Sequence, residues 1–438
     1  MNPEGVDAVD QSPYSPGAGT LPPVLAGRDR LLHRLMLGLN DVATVGRVRT
    51  QDVILIGPRG VGKTVAMSVY GDQARAGGFE VINLQAVSGR TGLVSSLLER
   101  AARGIERQSG PWTRARRAFD RIASVSFGVA GLSVGIEARP EPAGGQRLDP
   151  GTLAEALAEL AEEVRRDAPA GGLLLTIDEM QEASASDLAL LAATLQRLTV
   201  DHRGAAVVFA GTGLPHTPDV LRTSRVTHPD RLFLLEELPV SLSRDDALYA
   251  IIEPARQRGV RWEPQAADEI VDSSNGYPAH VQMFAHEAWL AAASPGLITL
   301  AEARAGLVQA HDDLARRTLG PRWRAMPERQ MEYIAAVALH GGSSTTATVA
   351  RTLGRTAQEL SKVRDTLISE GDLYSLQRGH IALAVPIFGS YALAEYERAR
   401  QMATLDLISL DQMRSNAGAI TSTTPPALEP GNTQPDQP

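Results

Sequence analysis

At 438 residues with a formal net charge of -8 and no cysteine, the chain is long enough for roughly two or three domains, and disulfides, thiolate zinc sites and cysteine nucleophiles are excluded. The acidic balance argues against a nucleic-acid-binding surface over the whole molecule and leaves room only for a local patch. The start of the chain lacks the basic and apolar stretches of a signal peptide, and no apolar run is long enough to cross a bilayer, so a cytoplasmic protein without membrane contact is expected.

Residues 1–22 are rich in Pro, Ser and Gly and poor in large apolar side chains, which predicts a disordered lead-in. A helix follows, with Leu31, Leu35 and Leu39 at four-residue spacing and Arg28 and Arg30 on other faces, either as solvated charges or as contacts to an adenine. The apolar run Val53 to Ile56 then delivers the chain to Gly57-Pro58-Arg59-Gly60-Val61-Gly62-Lys63-Thr64, a Gly-x-x-x-x-Gly-Lys-Thr phosphate loop in its expected setting of strand, turn and helix. Its glycines let the backbone approach a polyphosphate, its amides face the anion, Lys63 brings a compact charge to the β- and γ-phosphates, and Thr64 offers a hydroxyl to Mg2+. Lys63 and Lys362 are the only lysines in a chain that otherwise uses arginine for its fixed positive charge. Lysine therefore stands where a point charge is chemically needed.

A second strand over Phe79 to Leu84 leads into a long arginine-rich helix, Thr91 to Phe119. An insertion over about 120–147 follows, in which small and apolar residues alternate about a glycine before a flexible run; it reads as an edge cover or a partner-binding hairpin. After a helix through Leu153, Leu157, Leu160 and Val164, the run Leu173 to Ile177 predicts a buried strand ending in Asp178-Glu179. Acids at the carboxyl end of a central parallel strand sit where nucleotides bind in open α/β sheets. Asp178 is expected in a Mg2+ shell, and Glu179 is expected to orient or deprotonate a water. A further strand, Ala205 to Gly213, places Thr212 to contact a γ-phosphate or to cap the next turn. Arg222, Arg225 and Arg231 precede a last strand, Leu232 to Leu235, and an arginine here either lies on the surface or reaches a neighbouring subunit's nucleotide.

From 239 to 320 helices replace strands, as in a lid over a nucleotide. Residues 321–400 show the order of a winged helix-turn-helix with a two-stranded wing, Gly371 to Leu376 and His380 to Leu383. Its second helix offers Arg355, Gln358, Lys362 and Arg364 alongside Glu359 and Asp365, a mixed charge that fits DNA, protein docking or a structural role. Residues 403–438 read as a disordered tail.

Over residues 25–396 the chain resembles the AAA+ ATPases, and within them the origin-recognition-like group. The resemblance makes Gly57 to Thr64 Walker A, Asp178 and Glu179 Walker B, Thr212 the sensor-1 position and Arg231 the place of an arginine finger. It implies a P-loop NTPase domain, a parallel sheet of order 5-1-4-3-2 with helices on both faces, then an α-helical lid and a C-terminal winged helix. It also implies Mg-ATP turnover and assembly of like subunits. Two departures are visible: the lid run Gly276-Tyr277-Pro278-Ala279-His280 lacks the family's sensor-2 arginine, leaving only His280, and the insertion between the Walker motifs is long. Both resemble the STAND signalling ATPases, which hold nucleotide as a slow switch and answer to a protein partner.

Overall fold

The computed structural model describes residues 11–45, 52–101, 148–401 and 408–418, apart from 18, 89–91, 94–95, 98–99, 227, 293–295 and 378. The expected 120–147 insertion and most of the arginine-rich helix lie outside the described residues. The chain divides into two compact units, Met1–Leu314 and Ala315–Pro438.

The first unit is built on a five-stranded parallel sheet: β1 (Asp52–Ile56), β2 (Glu80–Gln85), β3 (Leu173–Asp178), β4 (Val207–Gly213) and β5 (Phe233–Glu237), in the order β2-β3-β4-β1-β5. This is the expected order read from the other edge. β1 and β4 are buried along their whole length because helices cover both faces, which is why their sequences are unbroken apolar runs. The helices are α1 (Asp29–Val45), α2 (Lys63–Ala76), α3 (Pro150–Asp167) and α4 (Ala185–Asp201), with the short α5 (Thr217–Thr223) and α6 (Pro229–Leu232) on the way to β5. α3 starts at Asp149, whose carboxylate accepts from the Thr152 amide at 3.0 Å, and α4 at Ser184, whose hydroxyl accepts from the Asp187 amide at 3.1 Å. At the floor of the sheet, buried Asp52 accepts from the Phe209 amide at 3.0 Å, tying the start of β1 to β4.

The lid is α7 (Arg244–Gln257), α8 (Pro264–Ser274), α9 (Pro278–Ala291) and α10 (Leu300–Leu314), with a two-residue parallel pair, β6 (Arg261–Trp262) and β7 (Leu297–Ile298). The expected disorder of the lead-in fails for its described part. Tyr14 is 4% exposed, its hydroxyl donates to the Ile251 carbonyl at 2.6 Å and accepts from Trp262 Nε1 at 2.9 Å, and its ring meets Trp262 and Trp289 edge-on. One aromatic ring in a Pro-Ser-Gly background is enough to order the segment when a matching pocket waits for it.

The second unit holds α11 (Gly320–Ala325), α12 (Glu328–Leu339), β8 (Ser343–Thr345), α13 (Thr346–Thr352), α14 (Ser361–Ser369), β9 (Leu373–Gln377), β10 (His380–Leu383), α15 (Phe388–Gln401) and α16 (Leu410–Gly418). β8 adds a third strand to the two expected, pairing antiparallel with β10. Within the described part of the expected disordered tail, α16 is ordered: Leu410 and Met413 are buried, and Asn416 donates to the Thr352 carbonyl at 3.1 Å.

Candidate functional site

The carboxyl ends of β1, β3 and β4 converge on the phosphate loop. Gly60 and Gly62 have φ of 76° and 91°, the left-handed region that a side chain resists, and Gly62 caps α2. A Cβ on Gly60 would also overlap the Tyr277 hydroxyl. That hydroxyl donates to the Arg59 carbonyl, and buried Arg28 donates from Nη2 to the Val61 carbonyl at 2.9 Å. In a trans peptide the carbonyl and the following N–H point opposite ways. Drawing the Arg59 and Val61 carbonyls outward therefore turns the Gly60 and Gly62 amides inward, the arrangement that makes a loop an anion nest.

Lys63 is 5% exposed and its ammonium donates to the Gly57 and Pro58 carbonyls, each at 2.8 Å. Burial lowers its pKa to about 8, against the opposing pull of Glu179 and Asp178, with Arg59 adding to the lowering. Thr64 donates from Oγ1 to Asp178 Oδ2 at 2.8 Å. Asp178 Oδ1 accepts from the fully buried Thr212 hydroxyl and from the Glu179 amide at 3.0 Å, and that amide also reaches Thr212 Oγ1 at 3.3 Å. Thr64, Asp178, Glu179 and Thr212 thus form one connected group. Glu179 itself stands in a left-handed conformation, φ 56° and ψ 45°, at the turn out of β3. Its carboxylate accepts from Gln181.

Arg231 is not brought to this group. β1 and β5 run in parallel with Asp52 opposite Phe233, so exposed Arg231 lies at the amino ends of the strands, while Gly57 follows their carboxyl ends. His280 is buried against Tyr277 and Phe284, with ring centroids 4.6 and 5.4 Å away, and burial pushes its pKa down to about 4, with His311 adding to the effect. That burial favours the neutral ring, unlike the permanent charge of a sensor-2 arginine.

Arg28, Tyr277 and Gln181 are the site residues that sequence reasoning did not assign. Only Arg28 carried a signal, a candidate nucleotide contact beside Gly27; burial depresses its pKa while Asp246 on α7 opposes that. In the second unit, the Arg355 guanidinium pairs with buried Glu332 at 3.3 Å, and Arg364 pairs with Asp365 at 2.7 Å.

Residues 24–208 match the AAA ATPase domain, and residues 316–392 match a domain of unknown function (DUF8462). No curated protein matches the chain. Among solved structures, the Walker-type ATPase PABY2304 of Pyrococcus abyssi is similar, with a TM-score of 0.57, 15% identity, and 88% of this chain and 99% of that one covered. The Aeropyrum pernix ORC2 protein, in ADPNP and ADP complexes, gives a TM-score of 0.52 and 14% identity, covering 92% and 97%. At those identities the two structures establish the fold. The domain match places an AAA ATPase domain in the first unit, and no helix among the described residues is long and apolar enough to cross a membrane.

Proposed function

We propose that this protein is an ATP-hydrolysing switch in which the phosphate loop and lid hold ATP and the C-terminal unit carries the output. The observation that supports hydrolysis is the joined group of Thr64, Asp178, Thr212 and Glu179 at the mouth of the loop. Lys63 and the inward amides of Gly60 and Gly62 bind the phosphates, Thr212 contacts the terminal phosphate or the water, and Glu179 orients that water and takes its proton. Thr64 Oγ1 and Asp178 Oδ2 are hard oxygen donors 2.8 Å apart, a set that suits Mg2+. When bound, the ion neutralises charge on the phosphates. Arg231, exposed at the opposite strand ends, serves as a finger only toward a neighbouring copy, so its role is tied to a homo-oligomer. The test is paired: Lys63→Ala should abolish ATP affinity, and Glu179→Gln should bind ATP without hydrolysing it. Retained affinity in the first together with unchanged turnover in the second refutes the proposal.

A second reading is favoured by the Tyr277 contact to the Arg59 carbonyl, which closes the lid directly on the phosphate loop. It is a STAND-like regulator that holds nucleotide with negligible unassisted turnover and is triggered by a protein partner. Single-turnover kinetics on the purified protein separate the two, since brisk unassisted hydrolysis excludes the regulator.

The C-terminal unit is read as a winged helix from its order α12-β8-α13-α14-β9-β10. Two of its four candidate DNA contacts, Arg355 and Arg364, are held by acids of the same unit, so DNA contact would fall mainly to Lys362 and Gln358. The same surface would otherwise dock a protein. We place the protein in the cytoplasm.

A further inference from the structure

Two residues beyond the Walker acids, the Gln181 side chain bridges two parts of the site. Its Oε1 accepts from the Leu214 amide at 3.1 Å and its Nε2 donates to Glu179 Oε2. The orientation of the amide is fixed by its neighbours: a backbone N–H must meet the oxygen and a carboxylate must meet the NH2 group. Leu214 directly follows β4, whose Thr212 bonds to Asp178 and to the Glu179 amide. The contacts therefore close a ring from Glu179 through Gln181, Leu214 and Thr212 back to Glu179. The turn that carries Gln181, Met180–Glu182, is seated by the fully buried Met180, which packs so closely under Gly211 of β4 that a Cβ there would overlap its sulfur.

We propose that Gln181 is a positioning residue for hydrolysis, holding the Glu179 carboxylate in register with the Thr212 strand end. Glu179 leaves β3 in a left-handed conformation, so its side chain is not aimed by the strand pleat and needs a separate restraint. Gln181 supplies it on Oε2, leaving Oε1 to accept from the attacking water. Movement of the Thr212–Leu214 end of β4, where a terminal phosphate would be felt, is then passed to the carboxylate through one amide group.

This inference rests on the ATPase reading, and the experiment separates the two. Steady-state ATP hydrolysis and ATP affinity are measured for the natural protein, Glu179→Gln, Gln181→Ala and Gln181→Glu. Gln181→Glu is the decisive variant, because it keeps an acceptor for the Leu214 amide while facing Glu179 with a like charge in place of a donor. The expected result is a kcat about 10- to 100-fold lower in both Gln181 variants, short of the loss on removing the base itself, with ATP affinity within about twofold of the natural protein. A Gln181→Glu variant with full kcat overturns the inference and leaves the ATPase reading intact. So does one that loses ATP affinity in step with kcat, since the residue's part is then structural. Hydrolysis that is absent, or that survives Glu179→Gln, overturns both.

Discussion

If Lys63 binds the phosphates as proposed, its burial should couple ATP binding to proton uptake. The ammonium is 5% exposed and its pKa is lowered to about 8. A bound phosphate restores the favourable partner that burial has removed, so ATP selects the protonated form. At pH 7 a group with that pKa is about 90% protonated, and at pH 9 about 10%. ATP affinity should therefore fall about tenfold between pH 7 and pH 9, or ~1.4 kcal/mol, and about half a proton should be taken up per ATP bound at pH 8. Stability without nucleotide should move the other way. The folded pKa lies below the unfolded value, so the cost of burying the charge is fully present below about pH 8 and is relieved as pH rises toward 10.5, returning ~1.4 kcal/mol between pH 7 and pH 9. Titration calorimetry in two buffers of different ionisation enthalpy reads the proton uptake, and urea unfolding reads the stability. A buffer-independent binding enthalpy at pH 8 with flat affinity from pH 7 to 9 would show that Lys63 takes up no proton on binding, and Lys63→Ala supplies the control in which the pH dependence of stability vanishes.

Tyr14→Ala should cost about 3–5 kcal/mol in urea unfolding, and Tyr14→Phe about 1–3, because the Ile251 carbonyl and the Trp262 N–H each lose a buried partner. An unchanged midpoint in Tyr14→Ala would mean that the lead-in is not packed on the lid. Tyr277→Phe should weaken ATP binding by about 1 kcal/mol through release of the Arg59 carbonyl. Gly60→Ala should lose most ATP affinity, part of it recovered in the double variant with Tyr277→Phe because the nearest overlapping atom is gone; strictly additive losses in the binding cycle count against this. In the second unit, Arg355→Glu should unfold the unit by facing buried Glu332 with a like charge, whereas Lys362→Glu should leave it folded. If the unit binds DNA, Lys362→Glu alone should reduce affinity and flatten its salt dependence; DNA binding that is indifferent to Lys362 places the contact elsewhere.

The sheet was legible because each of its central strands is an apolar run ending in residues that suit a ligand site: glycines after Ile56, two acids after Ile177, Thr212 at the end of β4. Those endings are local, so Lys63, Thr64, Asp178, Glu179 and Thr212 could be put forward as candidates from short stretches of chain and the family resemblance. What remained hidden is held across long stretches of chain. Tyr14 meets Ile251 and Trp262, 237 and 248 residues away, and Tyr277 meets Arg59 across 218. No window of sequence contains such a pair. α16 was missed for a different reason: Leu410 and Met413 are its main buried residues, too few to impose a period on a tail read from its Ser, Thr, Pro and Asn content. The left-handed Glu179 was invisible because an acid gives no sign of a conformation usually reserved for glycine.

One of the long-range contacts that the sequence concealed, Tyr277 to Arg59, joins the loop to the lid. Arg28 and Tyr277 both act on carbonyls of the phosphate loop, at Val61 and Arg59, and both answer to the lid: Tyr277 precedes α9, and Arg28 feels the charge of Asp246 on α7. Neither needs to touch a phosphate to matter. By fixing two carbonyls they fix the peptide planes whose opposite faces present the Gly60 and Gly62 amides. A shift of α7 or α9 would rotate those planes and spoil the nest, and an anion in the nest would resist that shift by the same amount. Coupling of this kind needs no sensor-2 arginine reaching the nucleotide, because the lid acts on the loop backbone itself.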